Sequence, residues 1–213
     1  MKREAGGAAG WLRAVRLHNS MKIYTRTGDD GSTGLLYGGR VAKTSPTIEA
    51  NGAIDEAQAA LGAVRAETEP GSQLDGFLIR IERDLYVAMA EMATAPENRH
   101  KLAPGSSLVS SEMVAALEAL IDELTPRFPA IKDFVVPGAN RVAAGLDVAR
   151  SVTRRAERAA IAAFADGPGH AQQGSSPSQV VIYLNRLSDL LWTMARWQED
   201  GDSLLSRKAG SPT

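Results

Sequence analysis

No cysteine occurs in the chain, which excludes disulfides, thiolate zinc sites and a catalytic thiol. The three histidines, His18, His100 and His170, are scattered without metal-ligand spacing. No apolar run approaches the ~20 residues that span a membrane, and the apolar core of a secretory signal is missing. No sequence repeat is visible. The formal net charge of -1 argues against nonspecific binding of nucleic acid, so any anion site must be local. Together these absences fit a cytoplasmic protein with no membrane or nucleic-acid partner. What remains is ordinary for a globular chain. Its 213 residues, 44% hydrophobic and 23% charged, are enough for one domain with a substantial core.

Residues 1–20 differ from the rest and are expected to be a disordered extension or an overextended start. The patterned domain is expected over 21–200, and a flexible tail over 201–213. Within the domain, apolar residues recur at helical spacing in five stretches. Ile48, Ile54, Ala57, Leu61 and Val64 form the first stripe. Phe77, Ile81, Leu85, Ala88 and Met92 form the second. Met113, Leu117, Leu120 and Leu124 make the third, after a capping Ser110 or Ser111. Val142, Leu146, Ala149, Thr153, Ala156 and Ala160 make the fourth, after a capping Asn140. Val181, Leu184, Leu187, Leu191, Met194 and Ala195 make the fifth, with Asn185, Arg186, Ser188, Asp189 and Arg196 assigned to its polar side. Gly52 and Gly62 interrupt the first helix, which implies close packing or a ligand there. Residues 166–178 are polar and aperiodic, as expected of a linker. The fold expected is an all-α, five-helix up-and-down bundle.

Two stretches carry chemistry. On the fourth helix, Arg150, Arg154, Glu157 and Arg158 fall beside the buried stripe, with Arg155 further out. Such a set is commonly a solvated charged face paired by its own acid. Arginines stacked at four-residue steps repel one another unless an anion intervenes, and guanidinium suits phosphate oxygens, so polyphosphate binding is the sharper reading. The second stretch, from Met21, reads MKIYTRTGDDGSTGLLYGGRVAK. Its glycines allow close backbone approach to an anion, and its hydroxyls and cations would support one. The alternative is a surface hairpin with glycine turns. Asp29 or Asp30 could hold magnesium through water, although acids in turns usually cap the backbone. In a bundle of this kind the two stretches need not meet within one subunit, so an oligomer with shared sites is expected.

Four blocks carry a family resemblance: KIYTRTGDDGSTGL, NGAIDEAQAALG, FVVPGANRVAAGLDVARSVTRRAER and YLNRLSDLLWTMAR. With them the chain resembles the PduO-type ATP:cob(I)alamin adenosyltransferases from about Met21 to Trp197. The resemblance implies a homotrimer that binds ATP and cobalamin between subunits and transfers the 5'-deoxyadenosyl group to cobalt, releasing triphosphate. It implies that Thr25, Arg26, Thr27, Gly28, Ser32 and Thr33 wrap the triphosphate with Lys43 at the loop's end. It further implies nucleotide contacts from Arg154, Arg155, Glu157, Arg158 and Asn185, and an ion pair of Asp55 with Arg150 across the interface. Phe134 would lie under the corrin and leave the lower face of cobalt without a nitrogen ligand. Mg2+ would accompany ATP. A cob(II)alamin reductase and an adenosylcobalamin-dependent enzyme are the implied partners.

The chain departs from the family pattern twice. It has Pro137-Gly138-Ala139 where PGG is usual, and Leu146-Asp147-Val148-Ala149-Arg150 where LHxAR is usual. Asp147 is expected to pair with Arg150 or to weaken its other contacts. A helical trimer that carries nucleotide or finished adenosylcobalamin is the competing reading, and Asp147 is the feature that favours it. A purely structural bundle leaves the glycine-hydroxyl loop unexplained.

Overall fold

The computed structural model describes residues 23–165 and 178–206. The expected N-terminal extension, most of the linker, and residues 207–213 lie outside them. Five α-helices dominate: α1 Pro46–Ala66, α2 Gln73–Met92, α3 Ser111–Leu124, α4 Arg141–Ala165 and α5 Gln179–Gln198. The sequence places each within a few residues. The starts of α2, α4 and α5 follow capping chemistry, whereas Ser110, expected to cap α3, makes no side-chain cap bond. Ser72 accepts the Asp75 amide at 3.2 Å, while the Asp75 carboxylate reaches back to the Gly71 amide at 2.8 Å. Asn140 accepts the Ala143 amide at 2.8 Å, as its sequence position predicts, and its amide group also donates to the Gln198 carbonyl. That second bond ties the start of α4 to the end of α5.

α4 sits at the centre, between α1 and α5, with α2 beside α1 and α3 beside α5. The expected stripes form the core: Ile54, Leu61, Ile81, Leu85, Leu117, Leu146, Leu184 and Leu187 are buried in it. α1 and α4 approach so closely that a Cβ on Gly145 would lie 2.8 Å from Val64 Cγ2. Gly145 is therefore a packing requirement. Gly52 and Gly62, expected to mark close packing or a ligand, face open space or an ordinary contact, so neither marks close packing within this chain. Arg196 and Ser188 also correct the sequence reading, because both are buried.

The glycine-rich stretch forms a small hairpin, β1 Ser32–Gly34 and β2 Arg40–Ala42, paired antiparallel. Its turn takes Tyr37, Gly38 and Gly39 through positive φ, which explains two adjacent glycines there. The Leu36 amide donates to the Ala93 carbonyl at 2.8 Å and fixes the hairpin to the end of α2. The tail expected to be free from residue 201 is paired over part of its described length. Val136 N donates to Leu204 O at 2.7 Å, and Ser206 N to Phe134 O at 2.8 Å. Among the described residues no helix is long and apolar enough to cross a membrane.

Candidate functional site

The arginines of α4 divide by their partners. Arg155 forms an ion pair with Glu56 of α1, and Arg150 lies 3.4 Å from Asp147. Arg154 and Arg158 are exposed and have no carboxylate partner among the described residues; Arg158 donates to the Arg154 carbonyl at 3.1 Å. Glu157 does not neutralise them. It accepts the Asn185 side-chain amide at 3.0 Å, so two residues expected at the nucleotide meet between α4 and α5. Asn185 is steadied in turn by Arg186, which donates to its carbonyl oxygen at 2.7 Å and to Glu118 at 2.7 Å. The result is an uncompensated positive face held by a polar clamp, the arrangement an anion needs.

The hairpin supplies a second polar surface. Arg40, absent from the expected site residues, organises it. Its guanidinium donates to Ser32 Oγ at 3.0 and 2.6 Å and to the Thr27 carbonyl. Asp30 accepts both the amide and the hydroxyl of Ser32, at 2.9 and 2.8 Å. Those bonds, led by the backbone one, hold the Asp30 carboxyl below its ordinary range. The Ser32 hydroxyl is thus engaged within the loop, while Thr33 lies in β1. Thr25 and Thr27 hydroxyls touch at 2.8 Å, and Arg26 between them has φ of 61°. Gly28 is tight against Lys43, whose Nζ would be 3.1 Å from an added Cβ. The same Cβ would lie 3.1 Å from the Ser32 carbonyl oxygen, so a side chain there would crowd the loop.

At the start of α4 two clefts adjoin. One, of about 610 Å³, is lined by Pro137, Val148, Arg150, Ser151, Arg155 and Arg158. The other, of about 630 Å³, is lined by Lys132, Phe134, Asp147, Arg150, Trp192 and Arg196. Phe134 is 80% exposed, an unusual position for a large aromatic side chain. No hairpin residue lines either cleft. Asp55 is exposed on α1, without an ion-pair partner among the described residues, and it does not meet Arg150 in this chain.

The acid that departs from the family pattern is buried, and it is the sequence residue whose role the fold changes most. Asp147 Oδ2 accepts Arg196 Nη2 at 2.6 Å, and the same Nη2 donates to Glu199 at 2.7 Å. Neither Arg196 nor Glu199 stands out in the sequence, because charged residues at the end of an amphipathic helix ordinarily face water. The only signal is the acid at 147 itself.

A family model described as cobalamin adenosyltransferase matches residues 23–198. A corrinoid adenosyltransferase of Mycobacterium tuberculosis (strain ATCC 25618 / H37Rv) is 41% identical over 194 residues, covering 90% of this chain and 96% of the relative. One from Bacillus subtilis (strain 168) is 38% identical over 180 residues, covering 83% and 86%. Among solved structures, a variant PduO-type ATP:corrinoid adenosyltransferase from Lactobacillus reuteri, complexed with cobalamin and ATP, superposes with a TM-score of 0.76 at 29% identity, covering 87% of this chain and 97% of that one.

Proposed function

The chain belongs to the cobalamin adenosyltransferase family, and from that premise we propose that it transfers the 5'-deoxyadenosyl group of ATP to the cobalt of a cob(I)alamin-type corrinoid, releasing triphosphate. The observation that carries the reading is that Arg154 and Arg158 have no carboxylate partner among the described residues, and that Arg158 lines the cleft adjoining the one that bears exposed Phe134. Cobalt(I) is the nucleophile, so the protein needs no serine or cysteine for attack. The Co–C5' bond forms as the C5'–O bond breaks, and the leaving triphosphate takes the electron pair. Arg154, Arg155 and Arg158, with Arg26 and Lys43 from the hairpin, stabilise charge where it develops. Thr25, Thr27, Gly28, Ser32 and Thr33 shape the phosphate loop, Glu157 and Asn185 hold the nucleotide, and Phe134 packs under the corrin.

The described residues hold no cluster of three metal-ligating acids or histidines. A magnesium ion would therefore be held largely by triphosphate oxygens and water, its usual manner of binding. The hairpin and the two clefts are separate in one chain, which supports a trimer with sites shared between subunits and Asp55 of one facing Arg150 of the next. Asp55→Ala should shift the assembly toward smaller species in analytical ultracentrifugation; an unchanged trimer with normal corrinoid binding would remove the interface pair.

Asp147 does not favour a carrier, because its carboxylate has a structural partner in Arg196. The decisive experiment follows the visible spectrum of cob(I)alamin under reducing, anaerobic conditions after adding protein and Mg-ATP. Conversion to the alkylcobalt spectrum with one triphosphate per turnover is expected. Binding shifts without conversion would leave only a carrier.

A further inference from the structure

We infer that Asp147, Arg196 and Glu199 form a buried relay of charges that positions Phe134 relative to Arg150, and so couples the corrin side of the site to its nucleotide side. The inference rests on the adenosyltransferase reading given above.

The chain of contacts is continuous. Arg150 Nε lies 3.4 Å from Asp147 Oδ1, and Asp147 Oδ2 accepts Arg196 Nη2 at 2.6 Å. Arg196 Nη2 also donates to Glu199 Oε1 at 2.7 Å, and Glu199 Oε2 accepts the Ser203 hydroxyl. Ser203 opens the short segment whose Leu204 and Ser206 pair with Val136 and Phe134 through the backbone. The Ser206 hydroxyl adds a bond of 3.3 Å to Asp133. Arg150, Asp147, Arg196 and Phe134 all line the same cleft.

Two features argue that this relay positions Phe134 and does more than fill the core. The Phe134 ring is 80% exposed, so packing within the chain does not fix it and its backbone must. That backbone is held by a single antiparallel bridge, Val135 opposite Leu205, with two backbone hydrogen bonds, which is marginal without an anchor. Glu199, with its side chain fully buried, supplies the anchor at Ser203. The second feature is the charge arithmetic. Arg150 and Arg196 balance Asp147 and Glu199, so the four side chains form a neutral set in which both acids hold Arg196, while Asp147 also faces Arg150 and Glu199 also holds Ser203. A neutral imidazole at 147 would leave Arg196 with one carboxylate and Arg150 with none in this set, so the family's usual histidine does not suit this chain. Asp147, Arg196, Glu199 and Ser203 are positioning residues, because none is argued to touch the reacting atoms.

The test uses the full chain with Asp147→Asn, Glu199→Gln and Ser203→Ala. KM for ATP and for cob(I)alamin, kcat, thermal melting and spectroscopic titration of cob(II)alamin in the presence of ATP are measured for each. Glu199→Gln and Ser203→Ala should weaken cob(II)alamin binding and raise the corrinoid KM about tenfold, because a displaced Phe134 backbone misplaces the ring. Their KM for ATP should stay near wild type. Asp147→Asn, which sits between the two sides, should raise both KM values, and Ser203→Thr should restore corrinoid binding. Unchanged cob(II)alamin titration in Glu199→Gln and Ser203→Ala overturns the relay, as does a fall in melting temperature with both KM values intact. If Asp147→Asn fails to fold, Ser203→Ala decides alone, since its residue lies outside the core. A wild-type protein that binds cob(II)alamin without converting cob(I)alamin would overturn the transferase reading while the titrations still judge the relay.

Discussion

The hairpin and the segment that carries Phe134 lie at opposite ends of the bundle and are held by opposite means. At one end the hairpin keeps its shape with local, exposed bonds: Asp30 to Ser32, Arg40 to Ser32 and Thr27, and one backbone bond to α2. At the other, the segment carrying Phe134 depends on a buried ionic set distant in sequence, Asp147 with Arg196 and Glu199. Exposed pairs contribute little to stability and are screened by salt, whereas a buried pair is costly to break. The contrast matches the jobs proposed for each end. A loop that wraps a flexible triphosphate can close around it, while a ring that packs beneath a rigid macrocycle must be placed beforehand.

The buried ionic set is the more sensitive of the two to substitution. Asp147→Ala should destabilise the fold by about 3–5 kcal/mol, because Arg196 loses a buried counter-charge. Thermal or urea unfolding measures this, and a loss below 1 kcal/mol would show that the ionic set is dispensable. Between the two ends, Arg154→Ala should leave stability near wild type while reducing transfer by about a hundredfold or more, the usual effect of removing one group that stabilises developing charge. Steady-state kinetics with excess cob(I)alamin reads it, and normal turnover would remove Arg154 from the site. Gly145→Ala, on the buried side of the same helix, should cost about 1–3 kcal/mol by overpacking Val64, with denaturant midpoints as the measure.

The smallest effect belongs to the hairpin. Asp30 has its carboxyl lowered in the folded chain by the Ser32 amide and hydroxyl. Its contribution is therefore present above the ordinary carboxylate pKa of about 4 and is lost as pH falls through the lowered value. The protection factor of the Ser32 amide, its exchange relative to the unstructured chain at the same pH, should fall in that acidic window while the core helices stay protected. Asp30→Asn should remove the pH dependence, and an exchange profile unchanged by this substitution would assign it to another group.

The helices and most of their boundaries were legible in the sequence because an amphipathic helix writes its buried stripe at a spacing of three and four residues. The Asn140 cap acts through local backbone chemistry, which a linear reading captures. The arginine face was legible for the same reason, since residues four apart on one helix must be neighbours. That Arg154 and Arg158 have no carboxylate partner among the described residues was not, because Glu157 is near both in sequence; only α5 passing alongside directs it to Asn185. Gly145 and Gly52 look alike in sequence, and only the crossing with α1 distinguishes them.

What the sequence alone determined is the helical bundle, the family and the candidate residues, all of them set by periodicity and by local motifs. Tertiary structure decided that Asp147 and Arg196, 49 residues apart, share a buried ion pair, and that Ser206 closes on Phe134. A charge has no periodicity that announces its partner. Its cost of burial is met only when the fold brings the opposite charge within hydrogen-bond reach.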